Sequence, residues 1–267
     1  MNKVIILLLA ITIGACKPAP KKEEAKASPQ EESLEPKRTF PEALEKVFAA
    51  HGGLETWNRH KTLSYDLPKK DFTETHTIDL WSRKDRVDTD NVSLGFNGKE
   101  VWLLDTENEY KGDAGFYHNL MFYFYAMPFV LSDDGIIYSE TEDLVYEDKS
   151  YPGIRISYES GVGTSSKDEY FIHYNPDNHQ MAWLGYTVTY RSGEASENVK
   201  WIRYDDWQTL HGLALPKSIT WHNLEEGKIL DPRNTVVFEN VMVTTDSRPE
   251  GFYAKPEAAK FVEVKKN

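Results

Sequence analysis

The chain has 267 residues, 40% of them hydrophobic and 13% aromatic, enough apolar material for a sizeable core and too much for a disordered body. With 31 Lys and Arg against 43 Asp and Glu its formal net charge is −12. Such a body is repelled by phosphate polymers and anionic lipid surfaces, so nucleic-acid binding is not expected.

The N-terminus is the most informative stretch. Lys3 supplies a short positive region, and Val4 to Ile13 is an apolar run broken only by Thr12. The run is too short to span a bilayer as a permanent helix. It leads into Ile13-Gly14-Ala15-Cys16: an apolar residue, two small residues and a cysteine, the pattern of a bacterial lipobox. Small residues let a signal peptidase reach the backbone, and the thiol is the atom that takes diacylglycerol. The plainer alternative is an ordinary secretion signal with a chance cysteine. Against it, Cys16 is the only cysteine, stands at the expected cleavage point and is followed at once by polar chain. The expectation is a signal peptide over residues 1–15 and a lipid anchor at Cys16, making the membrane a partner through that residue. A single cysteine also excludes an internal disulfide framework. Once acylated, it leaves no thiol for catalysis or metal binding.

Residues 16–39 read as a disordered tether. After Cys16 the segment holds four prolines and mixed charge, with Leu34 its only large apolar residue, so it cannot offset its ordering entropy by burial. Lys21-Lys22-Glu23-Glu24 could instead be a surface-export signal, a charged patch soon after the lipidated cysteine. Residues 40–267 read as one domain with no linker and no internal repeat.

Within the domain, Pro41 to His51 predicts a helix. Pro41 suits a first turn, Leu44, Val47 and Phe48 share one face, and Gly52-Gly53 ends it. A second helical turn spans Leu54 to His60 and carries Trp57. The apolar period then becomes two. Alternation predicts strands at Leu63 to Leu67, Phe72 to Leu80, Val92 to Phe96 and Val101 to Leu104, with Asn97-Gly98 as a type I′ hairpin turn. Phe116 to Val130 breaks the pattern: it is apolar all round, rich in Phe and Tyr, and stopped as a helix near Met127 by Pro128. Further strands are predicted at Ile154 to Tyr158, Tyr170 to Tyr174, Ala182 to Tyr190, Val199 to Tyr204, Leu213 to Trp221 and Thr235 to Val243. Many strands on short turns, with no helices between them, give a mainly antiparallel β (α+β) fold.

Several of these segments resemble one known superfamily. ALEKVFAAHGGLETWNRHKTLSY (43–65) resembles the opening of lipoprotein-localisation-factor-like (LolA/LolB-like) proteins, FNGKEVWLLDTENEY (96–110) their central hairpin, YDDWQTLHGLALPKSI (204–219) a later strand pair, and GFYAKPEA (251–258) the C-terminal segment. The likeness runs over nearly all of Phe40 to Phe261 and points to an uncharacterised group of Gram-negative envelope lipoproteins. It implies a curved half-barrel of about eleven strands, with helices covering the open side and a concave face that holds lipid or lipoprotein acyl chains. The residues add an aromatic excess. Candidate ligand-cavity or plug residues are Phe116, Phe122, Phe124 and Phe129 with Trp81, Trp102, Trp183 and Trp201. A filled core without a cavity is the alternative, since aromatic stripes are core more often than pocket.

No catalytic constellation is legible. The eight histidines (51, 60, 76, 118, 173, 179, 211, 222) form no His-Glu-x-x-His spacing. His173 and His179 flank a turn and could meet on a metal, although a satisfied or solvent-facing pair is the simpler reading. Gly161 to Ser166 lacks the Gly-Lys-Ser/Thr ending of a phosphate loop, and no Gly-x-Ser-x-Gly elbow is present. Asp88, Asp90 and Asn91 do not make a calcium loop, Asp133-Asp134-Gly135 reads as a turn, and Asp205-Asp206 is expected by chance in so acidic a chain. The sequence therefore predicts a non-enzymatic, cofactor-free envelope lipoprotein, lipid-anchored at the outer membrane on its periplasmic or outer face. It would bind or carry an apolar, lipid-like ligand in a half-barrel cavity. The alternative is an interaction lipoprotein that docks an envelope protein.

Overall fold

In the computed structural model the described residues are 38–159, 167–190 and 192–264. The signal segment, Cys16, the tether up to residue 37 and the Gly161 to Ser166 stretch lie outside them.

The domain opens with α1 (Glu42–Ala50) and α2 (Leu54–Arg59). Leu44, Val47 and Phe48 bury the face their spacing defines, and Glu42 and Glu45 in the first turn complement the helix dipole. At Gly52 the backbone takes φ 104°, and a Cβ there would lie 2.1 Å from the Gly212 carbonyl oxygen. Only glycine lets the end of α1 close on that neighbouring chain. His51 fixes the same contact. Its Nδ1–H donates to Ala214 O at 3.2 Å, and its Nε2 accepts from Met181 N–H at 3.0 Å.

Five strands follow: β1 (Thr62–Pro68), β2 (Thr73–Asp79), β3 (Asp85–Asp88), β4 (Val92–Phe96) and β5 (Val101–Asp105). Then come α3 (Ala114–Tyr117), α4 (Leu120–Tyr125) and a 3-10 turn at Phe129–Ser132. After these run β6 (Ile136–Glu140), the hairpin β7 (Leu144–Tyr146) and β8 (Lys149–Tyr151), β9 (Gly153–Tyr158), β10 (Tyr170–Tyr174) and β11 (Met181–Tyr186). The long strands β12 (Lys200–Leu210), β13 (Leu213–Glu225) and β14 (Lys228–Val237), then β15 (Glu239–Thr244) and β16 (Lys260–Val262), complete the chain.

Every pairing is antiparallel. One seven-stranded sheet has the order β15-β1-β2-β3-β4-β5-β16, the other β14-β13-β12-β11-β10-β9-β6. Phe238 alone separates β14 from β15, and its N–H still bonds Lys217 O of β13 at 2.8 Å. One bent length of chain therefore edges both sheets. The surface runs on through it as an unclosed curve whose free edges are β6 and β16. This is the half-barrel, with helices on its inner side. Among the described residues its fourteen strands exceed the expected eleven or so, the pieces of three or four residues (β3, β16) accounting for most of the excess, and β7 and β8 pair only with each other.

The main core fills the curve. Val47 and Trp57 from the first helices meet Leu63 and Ile78 of one sheet and Ile156, Leu184 and Ile202 of the other, with Phe122, Tyr125 and Phe129 between them. The Phe116 to Val130 segment is thus mostly core. Two details differ from expectation. The β4–β5 turn has positive φ only at Gly98 of its central pair Gly98-Lys99, where a type I′ turn needs two such residues. The strand predicted over Ala182 to Tyr190 ends at Tyr186, because Thr189 turns its N–H and Oγ1 onto the Asp168 carboxylate at 2.6 and 2.7 Å.

Candidate functional site

Between the two free edges the curve encloses a cavity of about 1080 Å³. This is at the upper end of the range for small-molecule sites, about 300–1,000 Å³. Phe96, Val101 and Val262 of the first sheet form one wall. Phe116, Leu120 and Phe124 of the helical segment form its floor, and Ile136, Tyr158, Tyr170 and Tyr186 of the second sheet close the other side. The lining is largely aromatic and aliphatic, with hydroxyls at intervals. Burial pushes the Tyr123, Tyr158 and Tyr170 hydroxyls up, so they remain protonated donors at neutral pH.

Charged groups gather on the side of the cavity formed by the β2–β3 turn and α3–α4. Arg83, in that turn with φ 59°, donates through Nη2 to Asp133 Oδ1, and its guanidinium lies 5.2 Å from the Phe122 ring centroid. His118 Nδ1 meets Asp85 Oδ2 at 2.6 Å. Asp85 is fully buried; burial pushes its carboxyl up, while the His118 hydrogen bond and charge pull it down. Asp168 is likewise pushed up by burial, against the two bonds from Thr189. A separate cluster lies outside the cavity. There Glu74 Oε2 accepts from Tyr117 at 2.6 Å, Lys69 at 3.2 Å and His76 at 3.3 Å. Burial pushes Glu74 up, but these partners outweigh it and hold the carboxyl below its usual range.

Of the eight residues singled out from the sequence, only Phe116 and Phe124 line the cavity. Phe122 and Phe129 belong to the core behind it, Phe129 stacked on Trp57 with ring centroids 4.6 Å apart. The four tryptophans stand away from the cavity. Trp81 is 63% exposed on the surface beyond β2, its ring beside Lys61. Trp102 points to the convex side, where its indole donates to Tyr253 O at 3.1 Å and a Cβ on Gly95 would come within 2.8 Å of it. Trp183 packs under the β7–β8 hairpin with Tyr146 and Tyr151. Trp201 packs against that same cluster and beside His173. Trp102, Trp183 and Trp201 mark a second covered face, because the hairpin and the C-terminal segment coat the outside of the curve.

Arg83, Asp85, His118 and Asp168 carried no sequence signal, since the partner of each is distant in the chain. The suggested His173–His179 pair does not form. His173 is buried and donates to Tyr151 O at 3.0 Å, while His179 stacks on Tyr174. Among the described residues no three His, Cys, Asp or Glu side chains are grouped to hold a metal ion, and no helix is long and apolar enough to cross a membrane.

Residues 54–237, well over half of the chain, match a family of unknown function (DUF6503). The chain belongs to that family. The match runs from α2 to the end of β14, so this DUF6503 member keeps most of the cavity wall within the family region. No curated protein matches the sequence. Among solved structures, the chain is similar to a LolA superfamily protein from Nitrosomonas europaea at TM-score 0.46 and 10% identity, covering 80% of this chain and 96% of that one. It is also similar to a DUF1329 family protein from Desulfovibrio piger at TM-score 0.44 and 9% identity, covering 78% and 97%. Likenesses of this size add nothing to the strand order above, which is the chain's own.

Proposed function

We propose that this DUF6503 protein is an envelope lipoprotein, acylated at Cys16 and held at the outer membrane, which binds a lipid-like ligand in the half-barrel cavity. The observation that carries the reading is the cavity itself: about 1080 Å³, open between two sheet edges, with aromatic and aliphatic walls beside charged and polar groups. Burying an acyl chain there is driven by about 25 cal/mol per Å² of apolar surface removed from water. The role is binding and local hand-over rather than catalysis, since a domain on a short tether cannot diffuse between membranes. An interaction protein would need a filled curve and a contiguous exposed apolar patch. Here the exposed large apolar side chains, such as Trp81, Val145 and Met242, stand on separate elements.

The test uses residues 17–267, which contain the compact unit beginning at Phe40, purified without detergent. The neutral probe 1-N-phenylnaphthylamine should brighten on binding, and Leu120→Trp, which puts an indole into the cavity, should weaken that binding at least tenfold. No binding by the unsubstituted protein, or full binding by the variant, would reject the cavity as the site.

A further inference from the structure

Two nitrogen-bearing side chains on one side of the cavity, a guanidinium and an imidazole, are each anchored from behind by a carboxylate. Arg83 is tied to Asp133, and His118 to Asp85. Both Arg83 and His118 belong to the lining. The Tyr123 hydroxyl and Asp133 belong to the same lining. Asp85 uses the Nδ1 side of the imidazole, which turns Nε2 away from it. The guanidinium rests over Phe122 and spends Nη2 on Asp133, and its Nη1 is buried without an acceptor among the described residues. A buried donor without an acceptor is a standing cost, which a ligand oxygen that draws the guanidinium toward the cavity relieves.

We propose that the cavity takes an amphiphile with an anionic head, carboxylate or phosphate, seated between the His118 imidazole and the Arg83 guanidinium, with its chain along the apolar walls. This rests on the ligand-binding reading above and names the ligand's class. The acidic groups on the cavity do not oppose it equally. Asp133 is spent on Arg83 and Asp168 accepts twice from Thr189; Glu100 and Asp134 also line the cavity, set against Lys99 and Lys200. Anchored donors are preorganised, which is what planar oxyanion recognition requires.

The experiment is competition against bound 1-N-phenylnaphthylamine on residues 17–267. Four ten-carbon competitors are used below their micellar concentrations: decanoate, decyl phosphate, decanol and decyltrimethylammonium. Decanoate or decyl phosphate should displace the probe at roughly tenfold lower concentration than decanol, as a charged hydrogen bond provides. Decyltrimethylammonium should be the poorest, and the tighter of the two anions identifies the head. Arg83→Met should erase the anion's advantage and leave decanol within about twofold. Asp133→Asn, whose amide oxygen can still hold the guanidinium while the competing negative charge is gone, should strengthen anion binding several-fold. That variant keeps the proposal testable if Arg83→Met folds poorly. If decanol or the ammonium competes as well as the anions, or Arg83→Met preserves the anion's advantage, the head-group assignment falls while the cavity reading stands. If neither probe nor competitor binds at all, both fall.

Discussion

His51 sets a pH dependence that can be worked out from its surroundings. It is fully buried at the end of α1, bonded to Ala214 O through Nδ1 and to Met181 N–H through Nε2. Both bonds require the neutral imidazole with its proton on Nδ1. Burial lowers its pKa to about 4, with the Ala214 bond opposing in part. In the unfolded chain the ordinary value is about 6.5. The folded pKa is depressed, so the unfolded state takes up the proton first as pH falls. The contribution is complete well above pH 6.5 and is lost on the way down towards pH 4. The difference is about 2.5 units, which corresponds to roughly 3 kcal/mol. The perturbation is His51→Gln, whose amide can donate to Ala214 O and accept from Met181 N–H without titrating. Urea unfolding of both proteins from pH 7.5 to 4.5 should show the original protein losing about 2–3 kcal/mol relative to the variant. His76 and His173 are also lowered by burial and act in the same direction, but they are common to both proteins and cancel. Parallel stability curves would refute the assignment.

The core reading of the Phe116 to Val130 segment predicts that Phe129→Ala costs about 3–5 kcal/mol in urea unfolding, because a fully buried ring stacked on Trp57 is lost; a cost below about 1 kcal/mol would contradict it. Gly52→Ala, with its Cβ driven against the Gly212 carbonyl, should destabilise by at least about 1–3 kcal/mol, whereas Gly53→Ala, whose Cβ meets nothing within 4 Å, should cost less. Replacing residues 1–16 by an ordinary cleavable secretion signal should move the protein from the membrane to the soluble fraction, as read by fractionation and immunoblot. Continued membrane association would remove Cys16 as the anchor.

What the sequence disclosed depended on whether the signal was local. Leu44, Val47 and Phe48 announced α1, and alternation announced β1, β4, β9 and β10, because each element buries one face and repeats at its own period. The short β3, with the sequence Asp-Arg-Val-Asp, gave no apolar period and went unread, although its Asp85 became the buried partner of His118. The tryptophans misled for a physical reason. Trp102 beside Leu103 and Trp183 beside Leu184 stand in strands apolar on both faces, but the sequence does not disclose that the hairpin and the C-terminal segment cover the convex face. They were therefore assigned to the one apolar face a half-barrel is expected to have. The polar side of the cavity was invisible for a related reason: Arg83 and Asp133 are fifty residues apart, Asp85 and His118 thirty-three, and no spacing rule joins them.

The central claim is that the cavity is a ligand site, and native mass spectrometry tests it most directly. Residues 17–267, secreted into a bacterial envelope and purified without detergent, should carry an additional mass of one amphiphile. That mass should be released by organic extraction and absent from Leu120→Trp. A protein that emerges at its bare polypeptide mass, and takes up neither decanoate nor the neutral probe afterwards, would contradict the account.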